Sequence, residues 1–376
     1  MGTSDSKFVL WFTPWFPSRV HSTLGNFIER HAHVAGLEAD VEVIHFTTEP
    51  TDSCIIKPIE KQGLNGIHIF KPSGLKGWYQ LIMIIISQLN RKKPAIIHLN
   101  IFHESWWIAL IARIICPNSV IFCSEHWTGY HNGAFEELSW WRRKAIGLAA
   151  SLVDIFLPVT RHLGHSMQDT IKKNISFQIL PNVVDDKIFT FCPEKDLKYT
   201  FLHVSTLDFN HKRPDVILRS FARLSEEFPQ ITLAIGGDGD VRPLKQLASR
   251  LGVEHLVTFF GEKTSPEIAA LMQESAFLVL YSKFENFPCV IAEAWMCGVP
   301  VIASDVGGIA EWLIPETGIL INPKEESELY EAMKKVVTGE ICFDRFQIAK
   351  YATEHFSYGA LRMRLHKLYT QQPEQC

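Results

Sequence analysis

The sequence lacks the features that would take it out of the ordinary globular class. None of its eight cysteines is paired with another at C-x-x-C spacing, which argues against a structural zinc site. Cys54, Cys116, Cys123, Cys192, Cys289, Cys297, Cys342 and Cys376 are scattered, mostly in apolar stretches. No disulfide framework is expected, and such thiols fit a reducing compartment. There is no basic excess: 37 Lys and Arg face 41 Asp and Glu, a formal charge of −4. Nucleic-acid binding through phosphates is therefore not expected. Long apolar runs are missing too. The longest aliphatic stretch is Leu81 to Ile86, far short of the ~20 residues that span a bilayer. The apolar start at Phe8 is cut by Thr13 and Pro14, so no secretory signal is expected. Met1-Gly2 with Ser6 fits the myristoylation pattern only loosely. Low-complexity tracts and short repeats are absent. The expectation is a cytoplasmic protein.

What is present is a chain of 376 residues, 47% apolar and 21% charged. That length suggests two domains or three at roughly 150 residues each. Short strand-like runs alternate with helical stretches. Strands are expected at Phe8–Phe12, Val41–Phe46, Ile67–Phe70, Ala95–Leu99, Val120–Cys123, Ile155–Val159 and Phe177–Leu180. Helices are expected around Phe27–Val34, Trp78–Leu89, Trp106–Ile115 and Trp140–Leu152. The pattern breaks near Pro181, in a stretch to residue 199 read as a linker. It restarts with strands at Phe201–Val204, Ile231–Ile235, Val257–Phe260, Phe277–Tyr281 and Val301–Ala303. Ser265-Pro266-Glu267 reads as a capped helix start. Repeated β-α units predict parallel sheets covered on both faces. The expected divisions are two α/β domains, at 1–190 and 191–355, and a helix at 356–376 packing back toward the first domain.

The densest group of polar residues surrounds a predicted helix start, in Phe284-Glu285-Asn286-Phe287-Pro288-Cys289-Val290-Ile291-Ala292-Glu293. Unpaired N–H groups at that start suit an anion. Glu293 falls four residues after Cys289, on the same helix face. A carboxylate there suits a vicinal diol such as ribose, and Glu285 on the loop suits a second polyol. An anion, a ribose and a sugar together describe a nucleotide sugar. The plainer reading, an acid near a helix start for dipole reasons, explains one Glu but not both. Weaker features favour plainer readings. His31 with His33, and His162 with His165, have no Cys or carboxylate cluster, so no metal is expected. Trp106-Trp107 reads as core. Trp140-Trp141-Arg142-Arg143-Lys144 fits either a lipid interface or a core pair beside a solvated basic face.

Glu285 and Glu293, followed by Gly298-Val299-Pro300-Val301-Ile302-Ala303-Ser304 and by Gly307-Gly308 with Glu311, resemble retaining glycosyltransferase family four. Asn182-Val183-Val184-Asp185 before Phe189, Lys212-Arg213, and Gly236-Gly237-Asp238-Gly239 extend the likeness. It covers residues 181–312 well and the N-terminal half loosely. The resemblance implies the GT-B architecture, an α/β chain of two tandem Rossmann-like domains facing a cleft, the acceptor side at 1–190 and the nucleotide-sugar-binding side at 191–355. It implies a retaining hexosyl- or other glycosyltransferase that uses a UDP- or GDP-linked sugar as donor substrate and needs no metal or other cofactor. The acceptor would be a glycan or lipid-linked hydroxyl, as in polysaccharide or glycolipid biosynthesis, with peripheral membrane contact a further implication. Glu293 would hold the ribose and Glu285 the donor sugar. Backbone amides of Asn286, Phe287, Pro288–Cys289 and Val290 would hold sugar and phosphates, and Lys212 with Arg213 the diphosphate. In the N-terminal half, Gly25 in Leu24-Gly25-Asn26 would lie near the donor phosphates, and His126 would touch the donor sugar. For Gly25 an ordinary turn, and for His126 a structural histidine, are the alternatives. Ser205-Thr206-Leu207 departs from the family's frequent Gly-Arg-Leu, which leaves the diphosphate to Lys212 and Arg213. Two other functions remain open on sequence: a nucleotide-sugar epimerase of similar fold, and a catalytically silent nucleotide-sugar binder. A dehydrogenase is disfavoured, because no G-x-G-x-x-G follows the first strand.

Overall fold

The structure is a computed structural model that describes residues 7–61, 63–194 and 196–370. Met1, Gly2, Ser6 and Cys376, named above for myristoylation or as thiols, lie outside the described residues, as does the end of the expected 356–376 helix. The chain forms two compact units. The first runs to Val183 and resumes at Tyr358; the second is Val184–Ser357.

The first unit holds β1 (Phe8–Thr13), α1 (Asn26–Gly36), β2 (Asp40–Thr48), β3 (Ile55–Pro58), β4 (Asn65–Lys71) and α2 (Gly74–Lys92). It continues with β5 (Ile96–Asn100), α3 (Phe102–Ile115), β6 (Val120–Glu125), α4 (Trp140–Ala150), β7 (Ile155–Pro158) and α5 (Arg161–Ile171). The sheet order is β3-β4-β2-β1-β5-β6-β7, parallel except where β3 pairs antiparallel with β4. The second unit holds β8 (Tyr199–Val204), α6 (Pro214–Glu227), β9 (Leu233–Gly236), α7 (Arg242–Arg250), β10 (Val257–Phe260) and α8 (Ser265–Gln273). Then come β11 (Ser275–Leu280), α9 (Cys289–Met296), β12 (Val301–Ser304), β13 (Gly318–Ile321), α10 (Glu326–Val337) and α11 (Arg345–Phe356). Its sheet, ordered β10-β9-β8-β11-β12-β13, is parallel throughout.

Period and burial explain these elements. On β1, Val9 and Trp11 reach one core while Leu10 and Phe12 are equally buried, as expected of a strand covered on both faces. On α6, Ile217, Phe221 and Leu224 recur at helical spacing and are fully buried. Full burial of such side chains stabilises by roughly 1.5–3 kcal/mol each. Pro214 occupies the first helical position, where its missing N–H costs nothing.

Several expectations change. Phe177–Leu180 forms no full strand but runs beside β7: Phe177 bridges Phe156, Gln178 N–H donates to Phe156 O at 2.9 Å and Leu180 N–H to Pro158 O at 3.0 Å. The helix expected to be capped by Ser265 is capped by Thr264, whose N–H donates to Glu267 Oε2 at 2.9 Å. The units divide at Val183–Val184 rather than at 190–191. Val184 N–H donates to Phe356 O at 2.8 Å, and the turn on Asp185 buries Phe189 in the second unit. The last helix, α12 (Tyr358–Thr370), belongs to the first unit and packs on α1. Its Leu361 and Leu365 are buried in that core. Tyr369 accepts from Trp11 Nε1 at 3.2 Å and lies 2.9 Å from His98 Nδ1, whose Nε2 meets Ser124 Oγ at 2.8 Å. Trp106 and Trp107 are half-buried rather than core; the Trp107 ring lies 5.6 Å from Trp78 on α2 and 6.0 Å from Phe46 on β2. Trp140 and Trp141 are 72% and 56% exposed, which removes the core-pair reading.

Candidate active site

In open doubly wound sheets, ligands bind beyond the carboxyl ends of the strands where the winding direction reverses. The second sheet reverses between β8 and β11, and its candidate residues follow those two strands. After β8 the chain enters a turn built on Asp208. Its Oδ1 accepts from Asn210 N–H at 2.7 Å, and its carbonyl accepts from Lys212 and Arg213 N–H at 2.7 and 3.1 Å. This turn, not a helix, presents Lys212 and Arg213. Arg213 sits at φ 44, left-handed backbone that non-glycine residues rarely adopt, at the cap of α6.

Lys212 Nζ pairs with Glu285 Oε1, and both side chains are largely buried. His211 stacks on Phe284 at 4.0 Å and 8° between planes. Its Nε2 lies 2.7 Å from Phe284 O, so that nitrogen carries the hydrogen. Burial, followed by the Lys212 charge, holds His211 below its ordinary pKa. Arg213 points elsewhere, pairing with Glu326 on α10 and lying 5.5 Å from the Tyr281 ring. The structure thus brings Lys212 to Glu285 and sends Arg213 to a different acid.

The 285–288 loop is held by packing. Phe287 is buried against Phe356, Trp295 and Trp312, with centroids 5.2, 6.0 and 6.0 Å away. Its side chain is therefore an anchor, and only its backbone can serve a ligand. Pro288 caps α9, which starts with Cys289 and Val290 and carries the buried Glu293 one turn later. Asn286 is buried, and its carbonyl accepts from Gly308 N–H at 3.0 Å. Gly307, at φ 57, lets that strap touch the loop: a Cβ there would stand 1.6 Å from Glu285 O. The Gly236–Gly239 turn does the same for the β8 loop, a Cβ on Gly237 meeting Ser205 O at 1.8 Å. Behind it, buried His203 donates from Nδ1 to Val279 O at 2.8 Å. Its Nε2 therefore accepts from Ser205 Oγ, also 2.8 Å away. Burial lowers the His203 pKa to about 4, so this tautomer persists at neutral pH. Thr206, in the slot discussed above, is exposed.

Gly25 and His126 belong to the first unit. Gly25 caps α1 at φ 77, and a Cβ there would stand 2.5 Å from the Trp15 carbonyl. The close approach it permits in this structure is to Trp15. His126 follows β6, 4.5 Å from the Phe27 ring and 5.5 Å from the His31 ring. Burial holds its imidazole well below the ordinary range, while a hydrogen bond with Asn182 opposes this. Sequence reasoning passed over Glu125. Fully buried, it accepts at Oε1 from His126 and Trp127 N–H (2.8 and 2.9 Å) and at Oε2 from Phe102 N–H (2.9 Å). Burial raises its pKa to about 7 despite those donors. An acid at a strand end, next to a candidate histidine, was the available signal. No group of three metal-ligating side chains is found among the described residues.

Residues 185–355 match the family of glycosyl transferases group 1. That match lies within the second unit. A D-inositol 3-phosphate glycosyltransferase of Corynebacterium jeikeium is 30% identical over 174 residues, 43% of this chain and 41% of that protein. The match thus spans about two fifths of that relative. Over the whole chain, sucrose-phosphate synthase from Thermosynechococcus elongatus has a TM-score of 0.75 at 17% identity, covering 96% of this chain and 98% of that one. The Anabaena protein HepE in complex with UDP has a TM-score of 0.74 at 17% identity, covering 96% and 99%. The chain has the GT-B fold of these glycosyltransferases, two Rossmann-like domains, and is similar to family four within it.

Gly307→Ala should push the Glu285 loop away from its strap. Left-handed strain and a backbone clash cost ~1–3 kcal/mol or more. Thermal unfolding should shift down by several degrees with Glu285-dependent ligand binding weakened. An unchanged melting curve and unchanged binding would mean the strap does not set the loop.

Proposed function

We propose that the protein is a retaining glycosyltransferase that moves a hexosyl or related sugar from a UDP- or GDP-linked donor to an acceptor hydroxyl. The observation that carries this reading is the meeting of Lys212, Glu285 and the α9 start at the β8/β11 switch point. The family match, and the UDP bound by the Anabaena protein, support it.

In this reading the donor diphosphate takes over Lys212, and Glu285 turns from the ammonium to sugar hydroxyls. The α9 N–H groups from Cys289 and Val290 receive phosphate charge, and Glu293 accepts from the ribose hydroxyls. Stabilising the departing diphosphate is then the main catalytic task, met by oriented cations and N–H donors. With no carboxylate assigned as a nucleophile, the acceptor attacks from the leaving-group side and the phosphate takes its proton. For His126 and Gly25 a role toward the donor rests on family likeness alone. The imidazole is neutral, so His126 can donate from one nitrogen and accept at the other. The acceptor is a glycan or lipid-linked alcohol, and the setting cytoplasmic. The described residues hold no helix long and apolar enough to cross a membrane. Peripheral contact is part of the proposal, supported by exposed Trp140 and Trp141 beside Arg143 and Lys144 on α4.

Nucleoside diphosphate sugars should raise the melting temperature, since a ligand of the native state stabilises it by mass action. Glu293→Ala should weaken the best of them about 10- to 100-fold, as loss of charged hydrogen bonds of ~1.5–3 kcal/mol predicts. Calorimetry finding equal affinity in the folded variant removes the ribose role.

Lys212→Ala should lower kcat/KM at least about tenfold, roughly 1.4 kcal/mol. Arg213→Ala should do the same if its guanidinium leaves Glu326 for phosphate. A loss within about threefold would keep Arg213 a structural partner of α10. Proton NMR of the fresh product should show the donor's anomeric configuration; an inverted anomer rules out the retaining mechanism.

Vesicles containing anionic lipid should sediment the wild-type chain but not the Trp140→Ser/Trp141→Ser variant. Equal sedimentation of both rejects α4 as the contact.

A further inference from the structure

A second concave site lies wholly within the first unit, a pocket of about 500 Å³ lined by residues from Pro14 to Arg142. It opens at the carboxyl ends of the strands. Thr47 and Thr48 close β2, Lys71 closes β4, and His103, Glu104 and Trp127 follow β5 and β6.

Lys71 is the unusual member. It is 6% exposed, yet no carboxylate among the described residues lies within ion-pair distance of its ammonium. Its Nζ donates to Thr48 Oγ1 at 2.9 Å and lies 4.6 Å from the Trp78 ring centroid. One of three donors is thus spent on a neutral oxygen. Buried ammonium groups are ordinarily paired, because desolvation without a counter-charge costs several kcal/mol. Burial holds the Lys71 pKa below its usual value, with the Cys54 thiol opposing. Arg142 lines the same pocket, and its Nη2 donates to a carbonyl, His103 O, at 2.9 Å.

The pocket also has one acid. Glu104 accepts from Trp15 Nε1 at 3.1 Å through Oε1, and burial raises its pKa. Two cations against one acid leave a net positive site, and Glu104 can still accept a hydroxyl. Trp78 and Trp127 supply aromatic walls, the latter stacked on His103 at 3.7 Å.

We propose that this pocket binds the acceptor through an anionic group, a phosphate or carboxylate, held by Lys71 and Arg142 beside a hydroxyl-bearing body against the tryptophans. Naming the ligand as acceptor rests on the transferase reading above; the anion site itself rests only on the pocket.

The test is calorimetric titration of the full chain with inorganic phosphate, glucose 6-phosphate, malate and, as the uncharged control, glucose. At least one anion should bind and glucose should not. Lys71→Met, which keeps the buried stem, and Arg142→Gln should each weaken that anion at least tenfold. Lys212→Ala, in the second unit, should leave it unchanged. Binding of the phosphates alone assigns a phosphate, and binding of malate alone a carboxylate; either supports the proposal. Failure of every anion to bind, or binding lost in Lys212→Ala but kept in folded Lys71→Met, overturns it. If the anion binds by this pattern but no nucleotide sugar binds the wild type, the anion site stands and the transferase reading falls.

Discussion

An ammonium and a carboxylate that stand 73 residues apart in sequence are held against each other, mostly out of water, by Lys212 and Glu285. A partly buried pair of this kind is expensive to break by removing one member, yet adds little over apolar packing. Under the proposed function its value lies in what each half can do when a ligand replaces the other: a diphosphate would offer Lys212 a better counter-charge, and sugar hydroxyls would offer Glu285 donors. The two loops that carry the pair are fixed from behind by neutral His203, by Phe287 in its aromatic cluster, and by glycines where backbones touch. That support leaves only the two side-chain tips to adjust.

The first unit solves a related problem with a different group. Glu125 gathers three backbone N–H groups from two segments at the strand ends and so fixes the residues around His126. Full burial raises its pKa to about 7, against 4.5 for an ordinary glutamic acid. The folded chain thus keeps this proton at pH values where the unfolded chain releases it. Its contribution to stability declines as pH rises from about 4.5 to about 7, and the penalty is then complete. The same unit keeps Lys71 without a carboxylate partner; its ammonium donates to Thr48 Oγ1 and lies over the Trp78 ring.

Much of this was legible in the residues. Apolar runs of strand length between helical periods gave two α/β units, and Pro288 after a strand placed the start of α9. The paired glutamates with their glycine flanks pointed to the family. Less legible were the elements without a strong period. β3, four residues long and mostly exposed, is ordered by pairing with β4, and Phe177–Leu180, which looked like a strand, pairs with β7 through a single bridge and a few backbone hydrogen bonds. Trp140 and Trp141 show the same limit, because hydrophobicity alone does not say which helix face meets the core.

The sequence by itself determined the alternation of elements, the helix starts and the cluster of polar side chains around the α9 start. These follow from local periodicity, from proline and glycine chemistry, and from the functional groups that each residue carries. Tertiary structure decided which charges meet. It sent Lys212 to Glu285 and Arg213 to Glu326, returned α12 to the first unit through Tyr369 and Leu365, and left Lys71 buried without a carboxylate. Those outcomes depend on the packing of segments far apart in the chain. Pairing and desolvation are properties of the assembled neighbourhood, and no local stretch of sequence contains them.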